Sequence, residues 1–558
     1  MGGTEELQRR FLEQLRALEQ FRITFTGQHP GVPLQQADQD VQRLLEAQAF
    51  FSARTIVAAE RTMTRGTRRL FAQHLPYLLN PVPAMAMLQA TLDPRFVDPV
   101  QLDAGEELGV EDPTPELEDT PPPVVLRTLT SMPIRPLQLT DLRFERPRPR
   151  SEAEVRLRFE AGHSRLWPIS PLSLYVDHLG EFESSAAVHL ALRENLLGAE
   201  IRWNGGEPVM CPAHFEPIPQ APSVGLDHPL DQVRTFFRLP EMDLFVTFFP
   251  PPPPGPWSYF EIRMHLSDAW PRGLGVERGA LRLHVVPAVN LRRELAAPIA
   301  VDGTRSLHAI EHPDSLAGYV LRGVRGTYRL DVREGLVPLR PGFVPRMNHG
   351  LKKVVKSGQW EVDYRGSGRQ RRGVLRMASP EAVLDPFRVS VDGLWHQPDR
   401  AAALVDGAPA ELLHRSLDGI GFSLLGRARA ATTADLANDD EALLTLLGAR
   451  SRRTLTLSDL RILLDVLRGP GERVFEAIAQ GLSTVDVQAV PSALGLAGFR
   501  YRYRLQIKDV GPSAVPKLVL FGHRLRQVLE AWSTEDVVEV EMVLPHLERR
   551  FEFREGGR

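Results

Sequence analysis

The sequence predicts an α+β multidomain protein with a helical N-terminal region, β-rich middle domains and a small α/β C-terminal domain. Three observations predict this fold class: apolar residues recur every three or four positions near the start, short runs alternate apolar and polar residues in the middle, and the chain closes with a strand–helix–strand pattern. The 558 residues are enough for several domains. We place their boundaries at 1–105, 106–300, 301–400 and 401–558, and expect the third segment to be basic and irregular.

Two amphipathic helices are predicted in the first segment. One runs from Thr4 to Phe25 and carries a single apolar stripe. The other begins near Val41 and is apolar around most of its circumference, which predicts that helices of its own chain or of a partner bury it. Arg43 and Arg54 are separated by about three helical turns, so they form a narrow polar stripe on that helix.

A proline-punctuated segment, Leu75 to Met85, follows the second helix. Pro76, Pro81 and Pro83 each lack the amide hydrogen that a helix needs, and each restricts the residue before it to extended conformations. The segment is therefore expected to stop any helix and to continue as extended chain.

Short strands are expected from about residue 124 to residue 300. Val155–Phe159 and Leu281–Val285 alternate apolar and polar residues, so each predicts a strand with one buried face. A helix is expected around Ser185–Leu197. The five consecutive prolines Pro250–Pro254 predict a rigid hairpin loop before a strand at Trp257–Met264.

The fourth segment ends in a predicted strand–helix–strand unit. Phe499–Ile507 alternates apolar residues with mostly arginines, which predicts a strand with one buried aromatic face and one cationic face. A helix over about Val515–Trp532 and a strand over Val537–Leu544 complete the unit.

The second helix and the proline-punctuated segment together resemble the N-terminal signature of the TssF (ImpG/VasA) family, a baseplate component of the type VI secretion system. Its members carry an E-R-L-x-E-x-x-A-F-L-x-A-R-like helix and then an L-Y-P-H-Y-L-x-P-x-P-S-M-like segment. Here residues 42–54 read QRLLEAQAFFSAR and residues 75–85 read LPYLLNPVPAM. The acidic pair usually found between the motifs is replaced near Thr62-Met63, and Ala84 replaces the serine before the methionine.

Later parts of the chain extend the resemblance in the same order. Residues 286–291 (VPAVNL) and 297–302 (APIAVD) are similar to the family's T-P-V-V-N-L-F and P-I-x-L-D segment, and the C-terminal unit matches in order and spacing. The chain is therefore identified as a divergent member. It departs from the family at Arg292 instead of Phe, at Arg500-Tyr501 instead of R-G, at Leu394-Trp395-His396 instead of a C-T-N-like motif, and in a missing Trp-rich segment.

The resemblance implies a structural protein of contractile injection, with no catalysis and no cofactor. Two copies, as a homodimer, would assemble with one TssG into a wedge complex, which TssE and trimeric TssK join. Six wedges would surround the VgrG hub and contact the sheath proteins. The assembly would serve protein secretion and would lie on the cytoplasmic side, at the inner face of the inner membrane. A wedge protein of a related contractile injection particle is the nearest variant of this interpretation.

Excess apolar surface in the N-terminal region is better explained by subunit packing than by the core of one domain. We therefore expect the partner contacts to include the two motif segments, with aromatic and proline residues as anchors and the two arginines setting the register. The predicted contact residues are Arg43, Phe50, Phe51, Arg54, Leu75, Pro76, Pro81 and Pro83.

Composition excludes several other classes. The chain is 43% hydrophobic and 25% charged with a net charge of -3, so as a whole it has no electrostatic reason to bind nucleic acid. Cys211 is the only cysteine, which excludes an internal disulfide and a thiolate metal cluster. The start of the chain has acidic residues where a secretory signal needs basic ones, and no run of eighteen apolar residues could insert into a membrane. We therefore expect a cytoplasmic protein.

A zinc-dependent hydrolase is the alternative function. His308, Glu311 and His312 fit the pattern H-x-x-E-H, in which two histidines on one helical face bind zinc and the glutamate activates water. Gly303 and Pro313 flank the motif closely, so a helix there is not expected. We therefore expect no metal site.

One basic cluster lies between Arg346 and Arg376, with Trp360 and Tyr364 among its cations. Aromatic residues among cations suit single-stranded nucleic acid, but they suit an acidic protein surface or a solvated loop equally well. The sequence leaves these three interpretations open. The cations are Lys352, Lys353, Lys356, Arg365, Arg369, Arg371 and Arg372.

Overall fold

A computed structural model gives the fold. It describes residues 2–28, 39–111, 122–146, 151–218, 226–331, 333, 335–342, 359–366, 371–378, 386–433, 436, 439–469, 471–491, 499–533 and 537–554. The chain divides into two compact units, the first formed by Met1–Pro76 with Leu436–Leu447 and the second by Tyr77–Asp435 with Gly448–Arg558. None of the helices in these ranges combines the length and apolar composition that crossing a membrane requires.

The helices are α1 (Gly2–Gln28), α2 (Gln39–His74), α3 (Phe182–Asn195), α4 (Pro229–Arg238), α5 (Pro398–Ala403), α6 (Asp440–Arg450), α7 (Leu457–Arg468), α8 (Glu476–Gly481) and α9 (Val515–Ser533). The strands in the first half of the chain are β1 (Met85–Leu92), β2 (Val100–Leu102), β3 (Glu107–Val110), β4 (Val124–Thr128), β5 (Met132–Ile134), β6 (Gln138–Glu145), β7 (Ala153–Arg165), β8 (Leu172–Val176), β9 (Leu196–Trp203), β10 (Val209–Met210), β11 (Ala213–His214), β12 (Phe245–Phe248) and β13 (Trp257–Leu266). The later strands are β14 (Leu281–Arg282), β15 (Val285–Val289), β16 (Arg292–Leu295), β17 (Ile299–Val301), β18 (Leu307–Ala309), β19 (Val320–Asp331), β20 (Gly335–Pro338), β21 (Arg340–Pro341), β22 (Gln359–Arg365), β23 (Arg372–Ala378), β24 (Phe387–His396), β25 (Pro409–Leu412), β26 (Ile420–Arg429), β27 (Leu482–Pro491), β28 (Phe499–Ile507), β29 (Val537–Leu544) and β30 (Arg549–Phe553).

The first unit contains the two predicted N-terminal helices. Ion pairs between Arg10 and Glu60 (2.6 Å) and between Glu6 and Arg61 (3.7 Å) join α1 to α2. The second helix is longer than its apolar periodicity predicted, because it continues to His74, directly before the proline-punctuated segment. This confirms that the prolines end the α-helix. The expectation of extended chain is wrong at Pro76–Leu79, which form a short 3-10 helix, because proline is tolerated in the first turn of a helix.

A closed antiparallel barrel forms the centre of the second unit. Its strands are ordered β1-β15-β4-β3-β25-β26 and enclose small and branched apolar residues such as Ala86, Leu88, Leu126 and Val286. These strands come from three of the four segments that the sequence suggested as domains, namely 1–105, 106–300 and 401–558. The boundaries at 105, 300 and 400 therefore stay a prediction.

Two sheets from the middle of the chain accompany the barrel. One has the order β10-β9-β13-β7-β6 and the other β11-β12-β8-β14. The strand predicted at Val155–Phe159 is confirmed, because its residues alternate between buried and half-buried positions within β7. The helix expected around Ser185–Leu197 is confirmed as α3.

Two predictions in this region are wrong. Leu281–Val285 is not one strand, because the chain leaves β14 after Arg282 and turns at His284, whose φ is +55°, before β15 begins. The polyproline run Pro250–Pro254 is not a hairpin loop, because β12 and β13 lie in different sheets. The stiff proline run instead connects β12 in one sheet to β13 in the other.

The segment expected to be irregular is largely β-sheet where it is described. Four strands in the order β16-β24-β19-β20, with β17 beside β24, and a second sheet ordered β18-β23-β22-β21 share one apolar core. Trp360, Leu375 and Trp395 lie in that core and are less than one tenth exposed. The sequence did not predict these strands, because glycines and arginines interrupt their alternation of apolar and polar residues.

The C-terminal β-α-β unit is confirmed. β28 and β29 pair in parallel, with α9 as the connection between them, and Tyr501 and Tyr503 lie on the buried face. The opposite face is not simply cationic, because Arg502 contacts Glu539 at 3.0 Å and Arg504 contacts Glu541 at 3.2 Å. The neighbouring strand therefore supplies the carboxylates that neutralise it.

Close packing of α9 on β30 leads to a first prediction. A Cβ atom at Gly522 would overlap the buried ring of Phe553. We expect Gly522→Ala to lower the free energy of unfolding by about 1–3 kcal/mol through overpacking, although alanine favours helices. Gly448→Ala, in α6 with open space around its Cβ, is the matched control and should be neutral or slightly stabilising in urea unfolding. Equal effects of the two substitutions would contradict the packing argument.

Candidate subunit-contact surface

The eight predicted contact residues fall into an exposed and a buried group. Phe50 and Phe51 are 41% and 61% exposed on α2. Arg43, Arg54 and Pro76 are also exposed, whereas Leu75 is fully buried. Pro81 and Pro83 are likewise buried within the chain. The structure therefore leaves the helix residues accessible and gives the proline segment an internal role.

The accessible apolar residues of α2 form a stripe that we call the α2 stripe, made of Leu44, Ala47, Phe51 and Ala58. Leu44 is 70% exposed and lies seven residues, almost two turns, before Phe51, so both point the same way. Ala53 is fully buried and lies about two and a half turns after Leu44, on the opposite side. Phe50 flanks the stripe and its ring meets that of Phe51 edge to face, 6.0 Å between centroids.

This geometry corrects one part of the sequence interpretation. Apolar residues that seemed to form one continuous buried surface divide into two faces. Ala49, Ala53 and Val57 recur every four residues and are at most 5% exposed, whereas the α2 stripe is open. Leu44 was not among the predicted contact residues, although its seven-residue spacing from Phe51 could have indicated that it shares the exposed face.

The two arginines that were expected to set the register are accessible. Arg43 contacts Asp40 at 3.7 Å within α2, and its side chain is 76% exposed. At such exposure the ion pair contributes little to stability, so the guanidinium remains able to bind a partner's carboxylate. Arg54 is exposed on the same helix.

The proline-punctuated segment is held inside the second unit by arginine side chains. Arg234, on α4, donates to the carbonyl oxygens of Tyr77 (2.6 Å) and Asn80 (2.7 Å). Arg322, on β19, donates through Nε to the carbonyl oxygen of Pro81 (2.9 Å). An irregular buried chain has few backbone partners, so side-chain donors must satisfy its carbonyl groups.

Asp231 joins the two arginines into one network, which we call the arginine clamp. Its carboxylate accepts from Arg322 Nη2 at 2.9 and 3.1 Å and from Arg234 Nη1 at 3.4 Å. All three side chains are at most 5% exposed. Burial lowers the pKa of Arg234 to about 10, and Asp231 opposes this shift, so the group stays charged at neutral pH.

More cations surround the arginine clamp. Arg371 donates to the carbonyl oxygen of Leu79 at 3.3 Å, and its guanidinium lies over the ring of Tyr364 at 3.7 Å. His396, at the end of β24, is only 3% exposed. Its pKa is lowered to about 3 by burial and by the charges of Arg322 and Arg371.

Among the described cations of the basic cluster, Arg371 is buried, whereas Arg365 and Arg372 are exposed. Arg371 belongs to the clamp surroundings, and Trp360 is buried in the sheet core, where its Nε1 donates to the carbonyl oxygen of Leu339 at 3.0 Å. Tyr364 lies under Arg371, so neither aromatic ring is available to stack on a base. Lys352, Lys353, Lys356 and Arg369 lie outside the described residues.

The H-x-x-E-H motif does not form a helix. His308 lies in β18, paired with Leu375 of β23, and the chain is irregular from Ile310 onward. His312 contacts Glu294 at 3.3 Å, and its ring packs on Tyr319. The two histidines therefore lack the helical i, i+4 geometry on which the zinc hypothesis depended. Among the residues that the structure describes, no group of three potential metal-ligating side chains occurs.

Removing one member of the arginine clamp should strongly destabilise the protein. We expect Arg322→Met to lower the free energy of unfolding by about 3–5 kcal/mol, because the buried carboxylate of Asp231 loses its two shorter hydrogen bonds and the carbonyl oxygen of Pro81 loses this donor. Arg325→Met is the matched control on the same strand, since its exposed pair with Asp227 (2.9 Å) should contribute less than about 1 kcal/mol. Urea unfolding measures the free-energy change of both variants, provided that the m-value is unchanged. Similar midpoint shifts for Arg322→Met and Arg325→Met would refute the prediction that the buried pair contributes more than the exposed one.

His396 should make stability depend on pH. Its pKa is about 3 in the folded chain and about 6.5 as the reference value, so the unfolded chain binds the proton first. The stabilisation is complete above pH 6.5 and is lost as the pH falls towards 3; between pH 6.5 and 5 the loss is about 2 kcal/mol. His396→Gln should flatten the pH dependence of the urea midpoint over that window. The exposed-site control His163→Gln should leave it unchanged, and a slope unaffected by His396→Gln would reject this assignment.

Comparisons with known proteins identify the family. A sequence model described as "Type VI secretion system, TssF" matches residues 5–318. No curated protein matches the chain. A chain of the type VI secretion system TssK-TssF-TssG baseplate subcomplex, determined by cryo-electron microscopy, superposes with a TM-score of 0.71 at 17% identity, covering 93% of this chain and 99% of that one.

A chain of the baseplate complex from the type VI secretion system superposes with a TM-score of 0.56 at 15% identity, covering 99% of both chains. At these identities the two superpositions show a shared fold. The sequence match is the evidence for the family, because it extends over more than half of the chain. The chain belongs to the TssF family of the type VI secretion system.

Proposed function

We propose that this protein is a structural subunit of the type VI secretion baseplate, without catalytic activity. The match to the TssF family carries this proposal. The similar solved chains come from baseplate assemblies, one of them with TssK and TssG, which supports those two proteins as partners. The accessible apolar residues of α2 are consistent with a chain that is completed by other subunits.

The finer organisation follows the family resemblance. We propose a wedge in which a second copy of this chain and one TssG form the core and TssE and TssK join. The wedge would surround the VgrG hub, contact the sheath, and lie at the cytoplasmic face of the inner membrane. The four segments 1–105, 106–300, 301–400 and 401–558 are retained as proposed structural divisions, although the barrel combines strands from the first, second and fourth.

We propose the α2 stripe, with Phe50, as the anchor for a partner helix. Burying one leucine or phenylalanine side chain contributes about 1.5–3 kcal/mol, so Leu44 and Phe51 together would provide a substantial part of an interface. A stripe with seven-residue spacing matches the packing of one helix against another. Arg43 and Arg54 beside it would fix the register through carboxylates of the partner.

The proline segment has a different part in this proposal. Leu75, Pro81 and Pro83 are buried, so we propose that they support the contact from inside the chain rather than touching a partner. Pro76 is exposed and remains a proposed contact.

Co-expression with TssG followed by native mass spectrometry tests the proposal. We expect a stable complex of two copies of this chain with one TssG. The double variant Leu44→Ser/Phe51→Ser should weaken the complex at least tenfold without changing the urea midpoint of the isolated chain, because both side chains are already exposed.

Met63→Ser is the matched control, since Met63 is 74% exposed on α2 but lies away from the stripe. It should leave the complex intact. Absence of any complex with TssG would reject the subunit proposal. A full complex formed by the double variant would reject only the α2 stripe as its anchor.

A further inference from the structure

A cavity of 320 Å³ lies in the second unit where β5, β8, β11 and β12 come together. Its size is within the range of small-molecule sites in proteins. Met132, Leu172 and Phe249 supply apolar walls, and Ser173 and Thr247 supply hydroxyl groups that hydrogen-bond each other at 2.9 Å. This combination of apolar surface and a few polar groups is typical of a site for an amphipathic ligand.

Arg135 lines the cavity and is only 9% exposed. Its Nη1 donates to the carbonyl oxygen of Pro171 at 2.9 Å, and its Nη2 donates to that of Ser170 at 3.5 Å. A guanidinium has five N–H donors, so these two contacts leave further donors for a ligand.

The charge of Arg135 has no carboxylate within ion-pair distance in the part of the chain that the structure describes. Glu216 also lines the cavity, and it interacts with Arg193: burial lowers the pKa of Arg193, and the charge of Glu216 opposes this shift. Burial lowers the pKa of Arg135. Burying a cation without a counter-charge is unfavourable, and an anionic ligand would offset this cost.

His284 positions this cation. Its Nε2 accepts a hydrogen bond from the backbone N–H of Arg135 at 3.3 Å, so Nδ1 carries the ring proton. The ring is 7% exposed, and burial, assisted by the charge of Arg135, lowers its pKa to about 4. At neutral pH the cavity therefore holds the positive charge of Arg135 beside the neutral imidazole of His284, and the carboxylate of Glu216 lies elsewhere in its lining.

We propose that this cavity binds a small monocarboxylic acid with an apolar body, with the carboxylate on the guanidinium of Arg135 and the apolar part against Met132, Leu172 and Phe249. A single cation matches a monoanion, whereas a phosphate dianion would leave a second charge without a partner. The apolar walls favour a hydrocarbon chain over a sugar or a small polar acid. The site is independent of the baseplate contacts proposed above.

Isothermal titration calorimetry of the full chain with sodium octanoate tests the proposal, with octanol as the uncharged analogue. We expect saturable binding of one octanoate and at least tenfold weaker binding of octanol. Arg135→Gln should weaken octanoate binding at least tenfold. Arg143→Gln, which changes a 66% exposed arginine paired with Asp141, is the matched control and should leave the affinity unchanged.

A second variant keeps the test valid if Arg135→Gln fails to fold. Ser173→Phe fills the cavity while Arg135 remains, and it should also abolish octanoate binding. No saturable binding to the wild type, equal affinity for octanol, or full affinity in either cavity variant would overturn the proposal. None of these outcomes depends on TssG, so they are separate from the test of the subunit role.

Discussion

The carbonyl groups of Tyr77, Asn80 and Pro81 must be satisfied inside the protein, and the arginine clamp does this. Prolines prevent the segment from continuing α2 or pairing as a central strand, so these oxygens need side-chain donors. Arg234 and Arg322 supply them, and Asp231 holds both guanidinium groups in place. Because β1 begins a few residues later, the same contacts fix where the first barrel strand enters the fold.

The clamp also gives a physical reason for the proline motif. Residues 75–85 resemble the family signature, and the sequence alone suggested that their prolines contact a partner. In the structure Pro81 presents its carbonyl oxygen to Arg322 and is buried. The motif therefore acts as an internal connection in the isolated chain, and exposed apolar surface is found instead on α2, at Leu44 and Phe51.

Local periodicity predicted the elements but not how they combine. The α2 helix, the strand in β7 and the C-terminal β-α-β unit each depend on neighbouring residues, and all were predicted. The barrel depends on pairs such as Leu88 with Val286 and with Leu424, whose separation in sequence leaves no local pattern. The clamp was missed for the same reason, since Arg322 and Pro81 are 241 residues apart. Arg135 belongs to no motif, and only its burial distinguishes it from other arginines.

Under the proposed function, stability and assembly depend on different residues in this chain. The clamp side chains are buried and hydrogen-bonded, so losing one lowers the free energy of unfolding. Any weaker binding of partners would then be a consequence of that lower stability. Leu44 and Phe51 are largely exposed and gain their burial energy only when another molecule covers them. A defect in complex formation with unchanged unfolding therefore belongs to the α2 stripe, whereas a defect in both belongs to the clamp.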